Sequence, residues 1–151
     1  MVKFISIGAN NSNDFENKVG NLPSFVMIFS PTCGHCIELK PKWKNLVNKL
    51  KTDYVGNVGI VDIHADALGN IESPGLKDIQ GYPTLRIIKN NTYKNYDKSR
   101  TTQDMLDFCL ENLDLKKKPK KSKKTKKSKK TQQNKTKQKK NFKTKLIFNC
   151  K

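Results

Sequence analysis

Residues 24–36 read Ser24-Phe-Val-Met-Ile-Phe-Ser-Pro-Thr-Cys33-Gly-His-Cys36. Ser24–Phe29 is an almost unbroken apolar run, the pattern of a strand covered on both faces. Ser30-Pro31-Thr32 ends it, and a Cys-x-x-Cys pair follows at once. Leu39, Trp43, Leu46, Val47 and Leu50 then recur at helical spacing and make one apolar stripe, with Lys40, Lys42, Lys44, Asn48 and Lys51 mostly off it. Pro41 lies inside this pattern and predicts a kink. The cysteines therefore stand where a buried strand hands over to an amphipathic helix.

Before this junction, Lys3–Ile7 reads as a short strand and Asn10–Gly20 as a first helix. After it, Val58–Ile63 reads as a second buried strand. Gly69, Pro74 and Gly75 break Asp66–Gln80, which predicts a short or irregular helix. Gly81-Tyr82-Pro83 is a turn signal. Thr84–Lys89 and Thr92–Tyr96 read as strands joined by a tight turn at Asn90-Asn91. Thr101–Leu113 closes the pattern as a helix, with Thr101 or Thr102 as N-cap and Met105, Leu106, Cys109, Leu110 and Leu113 on its apolar side. The order β-α-β-α-β-α-β-β-α predicts an α/β domain, a mixed sheet with helices on both faces.

Charge divides the chain. The sequence has 151 residues and a formal net charge of +18. All 13 acidic residues lie between Asp14 and Asp114, and residues 1–115 hold 11 Lys and 2 Arg, so that stretch is neutral. Residues 116–151 hold the other 18 Lys and no acid. The expectation is one folded domain over 1–115 and a Lys-rich disordered tail over 116–151, too poor in apolar residues to bury a core.

Four cysteines, Cys33, Cys36, Cys109 and Cys150, are too few and too clustered for a secreted disulfide scaffold. The Cys33-Gly34-His35-Cys36 pair suits thiol chemistry. At a helix start, unpaired N–H groups and the helix dipole favour a thiolate. Cys33 precedes the helix body and is the expected exposed nucleophile. Cys36 shares a face with Leu39 and Trp43 and is the expected shielded, resolving thiol. Cys33 then attacks a disulfide, and Cys36 displaces the mixed disulfide. A cationic His35 beside the thiolate would favour the reduced form and make the pair more oxidising. Two alternatives stand beside this reading. The pair is half a zinc site, its other ligands drawn from His35, His64, Cys109 and Cys150, none at a familiar spacing; or it is an inert packed pair. Cys109 reads as a buried structural thiol, Trp43 and Met105 as core, and His64, following a strand, as a surface or loop residue without a role.

At these residues the sequence resembles the thioredoxin family, and more closely the catalytic Cys-Gly-His-Cys domains of protein disulfide isomerases. Pro41 stands five residues after Cys36, where the family has its helix-kinking proline. Gly81-Tyr82-Pro83-Thr84-Leu85 resembles the segment carrying its cis-proline, and Tyr96–Arg100 resembles the lead into its last helix. The resemblance covers about residues 3–114. It implies a thioredoxin fold, a central mixed sheet of four to five strands flanked by helices. It also implies a redox-active Cys33–Cys36 disulfide, with Gly34, His35 and the cis-proline Pro83 in the catalytic motif. Thr32, Gly81 and Tyr82 would contact substrate. No metal or prosthetic group is implied. The partners implied are disulfide-containing proteins and an electron donor or acceptor. Two positions depart from the family. Thr32 replaces its Trp, and Met27 replaces the buried Asp or Glu that assists proton transfer at the resolving thiol.

The Lys-rich stretch 116–145 suits counterion release on a polyanion or nucleic acid, while its lack of interleaved aromatics before Phe142 argues against base reading. A rival function follows, a non-enzymatic thioredoxin-fold module tethered by this tail. Phe142, Leu146, Ile147 and Phe148 make a small terminal docking patch, and Cys150 reads as incidental. The opening residues lack a signal-peptide core, and no apolar run reaches the ~20 residues of a membrane span. The expectation is a cytoplasmic protein without membrane contact. Lys116–Lys121 resembles a nuclear-localisation signal, which adds the nucleus or a particle (a virion, were the source viral) as alternative locations.

Overall fold

The structure is a computed structural model, and it describes residues 1–119. The Lys-rich stretch from residue 120 onward, including Phe142, Leu146, Ile147, Phe148 and Cys150, lies outside the described residues. Seven strands and three helices follow in the order β1 (Lys3–Ile7), α1 (Asp14–Lys18), β2 (Ser24–Phe29), α2 (Gly34–Asp53), β3 (Tyr54–Val55), β4 (Gly59–His64), β5 (Thr84–Lys89), β6 (Thr92–Asn95), α3 (Thr102–Asn112) and β7 (Lys116–Lys117).

The main sheet has five strands in the order β1-β4-β2-β5-β6. β1 and β2 both run parallel to β4, while β5 and β6 are antiparallel, so the sheet is mixed. β2 lies at its centre. Phe25 and Met27 face one side and pack with Leu39, Trp43 and Leu46 of α2 and with Met105 and Phe108 of α3. Val26 and Ile28 face the other, against Ile7, Phe15, Val19, Val61 and Ile63. Both faces of β2 are thus covered by packed layers, which is why its sequence is a run rather than an alternation.

Several elements differ in detail from the sequence pattern. The first helix is shorter than Asn10–Gly20. Ala9–Asn11 is a 3₁₀ turn and α1 keeps only five residues. Asp66–Gln80 resolves into 3₁₀ turns at Ala65–Asn70 and Pro74–Leu76. α2 continues through Pro41 for 20 residues. On α3, Phe108 is buried and Leu110 is 36% exposed, because Phe108 lies between Met105 and Cys109 on the inner face and Leu110 lies beyond it. Thr101 is the N-cap, its hydroxyl oxygen accepting from the Asp104 N–H at 3.1 Å. His64 is the last residue of β4 rather than a loop residue, and its Nδ1 accepts from the Asp66 N–H at 3.2 Å. The boundary expected at Leu115 falls inside paired structure. β7 pairs antiparallel with β3, and Lys118 N–H donates to Asp53 O at 2.7 Å.

Phe25 is fully buried and its ring meets those of Trp43, Phe108 and Tyr96 at centroid distances of 5.4, 5.8 and 6.1 Å. Phe25→Ala should lower the unfolding free energy in urea by roughly 3–5 kcal/mol, the range for emptying an aromatic site in a packed core.

Candidate functional site

α2 starts at the end of β2, and its buried residues, Cys36, Leu39, Trp43, Leu46 and Leu50, follow one 3–4 spaced stripe. Docking that stripe on the sheet orients both cysteines. Cys33 is the N-cap residue in extended conformation (φ −82°, ψ 122°) and is partly exposed. Cys36 lies on the stripe and is 4% exposed. Both are free thiols, so the described state is the dithiol and the pair carries no disulfide in it.

Across the sheet end, β5 begins one residue after Pro83. The Tyr82–Pro83 peptide bond is cis. Pro83 is buried and Tyr82 is 37% exposed. The Cys33 thiol donates to the Tyr82 carbonyl at 3.3 Å. Thr84 Oγ1 donates to Gly81 O at 2.6 Å and fixes that turn. Thr32 is exposed and its hydroxyl meets Ser30 Oγ at 3.2 Å. The two segments singled out in the sequence, 32–36 and 81–83, therefore meet at one sulfur. At both Gly34 and Gly81 an added Cβ would touch nothing within 4 Å, so packing does not demand glycine there.

The two thiols are pushed in opposite directions. The Cys33 thiol lies below its ordinary 9.0, first because the Cys36 thiol hydrogen-bonds its thiolate, then because backbone N–H groups of Cys36 and His35 face the sulfur. These are the N3 and N2 amides of α2, the donors an N-cap acceptor uses. The thiol form makes no capping hydrogen bond, so this stabilisation belongs to the thiolate. Cys36 lies above 9.0, chiefly because burial penalises its charged form, helped by its hydrogen bond and repulsion with Cys33. His35 acts on Cys33 through its amide. Its imidazole is exposed and faces Glu38, Nδ1 to Oε2 3.8 Å.

Two further groups belong to the site, Arg100, marked in the sequence only as part of the lead into the last helix, and Asp62, not singled out there. Arg100, ahead of α3, draws both thiols down electrostatically. Asp62 of β4 borders, with Cys36, Met27, Phe29, Trp43 and Val47, a cavity of about 300 Å³ behind the pair. Its burial raises its carboxyl above the ordinary 3.8, opposed by hydrogen bonding from Ser6 and the charge of Lys40. A charge inside Gly-Ile-Val-Asp-Ile-His was the available signal for Asp62. The resemblance of Tyr96–Arg100 to the lead into the last helix marked Arg100, without a role at the thiols. Cys109 is fully buried in the core, where burial pushes its thiol far up. Among the described residues no group of three or more His, Cys, Asp or Glu gathers to hold a metal ion, and no helix is long and apolar enough to cross a membrane.

The family profile described as Thioredoxin matches residues 6–111. Protein disulfide-isomerase A4 of Mus musculus is 30% identical over 97 residues, which is 64% of this chain and 15% of that protein. Protein disulfide-isomerase of Zea mays is 33% identical over 101 residues, 66% of this chain and 18% of that protein. The chain thus spans under a fifth of the length of either relative. Among solved structures, the first thioredoxin domain of mouse Protein disulfide-isomerase A4 superimposes with a TM-score of 0.53 at 24% identity, covering 70% of this chain and 72% of that one. The J-Trx1 fragment of ERdj5 gives 0.56 at 20% identity, covering 72% and 50%.

Two outcomes follow from the electrostatics. The pH profile of Cys33 alkylation by iodoacetamide should have its midpoint below 9.0, and Cys36→Ala should move it upward, since the Cys36 thiol is the largest cause of the depression. Asp62 binds its proton more tightly folded than unfolded, so its ionised form costs stability at neutral pH and costs nothing once both states are protonated. Asp62→Asn should therefore melt above the parent at about pH 7, and the two melting curves should converge below about pH 4.

Proposed function

The chain belongs to the thioredoxin family, and on that premise we propose that it is a protein thiol–disulfide oxidoreductase working through Cys33 and Cys36. The observation that carries the reading is the position of the Cys33 sulfur. It sits at the N-terminus of a 20-residue helix and 3.3 Å from the Tyr82 carbonyl, with a buried thiol behind it. In the reducing direction, the Cys33 thiolate attacks one sulfur of a substrate disulfide. A Cys33–substrate disulfide forms, and the other substrate sulfur leaves as a thiolate that takes a proton from water. Cys36, deprotonated, then attacks Cys33 sulfur. The second substrate thiolate departs, and two electrons have passed to the substrate. The oxidising direction is the reverse.

Ionisation also changes the rim. Once Cys33 loses its proton it no longer donates to the Tyr82 carbonyl, and that oxygen is left open to accept an N–H from an extended substrate chain. Tyr82, whose carbonyl meets the sulfur, and Ile37, one turn along α2 from Cys33, are 37% and 59% exposed and offer apolar surface, and Thr32 supplies a smaller contact than an aromatic residue would. The absence of a Cβ clash at Gly34 and Gly81 leaves room for that chain. This chemistry requires a disulfide-containing protein partner and an electron donor or acceptor, and no metal or prosthetic group.

The direction of flow is read by equilibrating the full chain in glutathione buffers of graded potential and trapping the thiols for mass spectrometry. A Cys33–Cys36 disulfide with a midpoint near about −180 mV assigns oxidase or isomerase work, and one near about −270 mV assigns reductase work. With no such disulfide at any poise the reading fails, and the Lys-rich stretch, binding a polyanion, becomes the functional part.

A further inference from the structure

Cys36 must lose a proton before it can attack, and nothing in its burial helps it do so. It is 4% exposed and its thiol is held above the ordinary range. Met27, on the strand beneath, carries no proton acceptor. Its partner in the parallel register is Asp62, one strand over on β4. Partnered residues of adjacent parallel strands point to the same face about 4.8 Å apart. Asp62 therefore faces the same layer as Met27, toward α2. Both residues border the cavity of about 300 Å³ that Cys36 also borders. That volume is many times the ~30 Å³ of one water.

We propose that Asp62 is the proton acceptor for Cys36, working across this cavity through water in the step that resolves the mixed disulfide. The inference rests on the oxidoreductase reading above. In the step, the Cys36 thiol gives its proton by way of water to the Asp62 carboxylate. The Cys36 sulfur bonds to Cys33 sulfur, the Cys33–substrate bond breaks, and the substrate sulfur leaves with the electron pair. Asp62 later returns the proton to solvent past Ser6, which is exposed and whose hydroxyl donates to Asp62 Oδ2 at 2.5 Å. Ser6 of β1 bonds the carboxyl and Lys40 of α2 acts on it by charge, Cys36 and Lys44 of α2 border the same cavity, and Arg100 acts on the thiols from ahead of α3. A carboxyl raised by burial is a better acceptor than a free one, while the charge of Lys40 favours its ionised form.

The test uses the full chain in its dithiol form and 5,5′-dithiobis(2-nitrobenzoate) in single turnover. Attack by Cys33 releases one thionitrobenzoate, and attack by Cys36 on the adduct releases the second. Asp62→Asn should leave the first release unchanged. It should slow the second on the order of 100-fold at about pH 7. The difference should vanish at a pH high enough for Cys36 to ionise unaided, a convergence that a structural defect would not give. Ser6→Ala, which removes a bond favouring the Asp62 carboxylate, should shift the acid limb of the second release to higher pH. A second release equal to the parent's at every pH, or slowed by one factor at every pH, overturns the role of Asp62 and leaves the oxidoreductase reading standing. If the parent forms no adduct at Cys33, both readings fall.

Discussion

The site depends on one docking constraint, the seating of the α2 stripe on the centre of the sheet. Cys36, Leu39, Trp43, Leu46 and Leu50 are buried together against β2 and β4. Because the stripe includes Cys36, burying the helix also buries that thiol. Because Cys33 is three residues earlier and outside the helix, the same rotation brings its sulfur to the rim, under the Tyr82 carbonyl. The division of labour between the two sulfurs is thus a consequence of helix packing. Their electrostatics follow from it. One helix start supplies amides to the outer sulfur, while the packed layer desolvates the inner one. Arg100 acts on both and so shifts the pair together, whereas the helix and the core act to separate them.

The elements legible in the sequence were those whose signal is local and redundant. β2 was readable as a run, α2 as a stripe, and the hairpin as Asn90-Asn91, which adopt φ values of 51° and 59° as a tight primed turn needs. Elements set by tertiary contact were not. α1 shrinks to one short helix because only Phe15 and Val19 are anchored in the core on that face. Arg86 reads as an ordinary strand residue, yet it is 1% exposed. Its guanidinium donates to the carbonyls of Gly75 and Lys77 at 2.9 and 2.8 Å and stacks 4.1 Å from the Tyr93 ring. It ties the irregular segment after β4 to β5, the strand that Pro83 precedes. No periodicity announces such a clamp.

The site was legible in the same uneven way. The cysteines and the Tyr82-Pro83 segment carry motif signals. Their meeting is long-range, across 49 positions of sequence, and only the β2–β5 pairing brings them together. The direction in which the His35 ring points is a rotamer, which sequence does not encode. Asp62 was hidden for a different reason, because its relation to Met27 is a matter of register between strands far apart in the chain.

That register explains why β4 can carry a carboxyl that β2 lacks. Met27 has two lateral partners, Asp62 on β4 and Leu85 on β5. Leu85 is 4% exposed within the core that also holds Trp43, Leu106 and Phe108, where a carboxylate would be desolvated with no donor to meet it. On the β4 side the next strand is β1, where the register presents Ser6, a hydroxyl at the sheet edge. An acid there is buried enough to hold a proton and close enough to the edge to release it. A chain with an apolar residue at position 27 thus has one neighbouring place for a working carboxyl on this face, and it is the place where Asp62 stands.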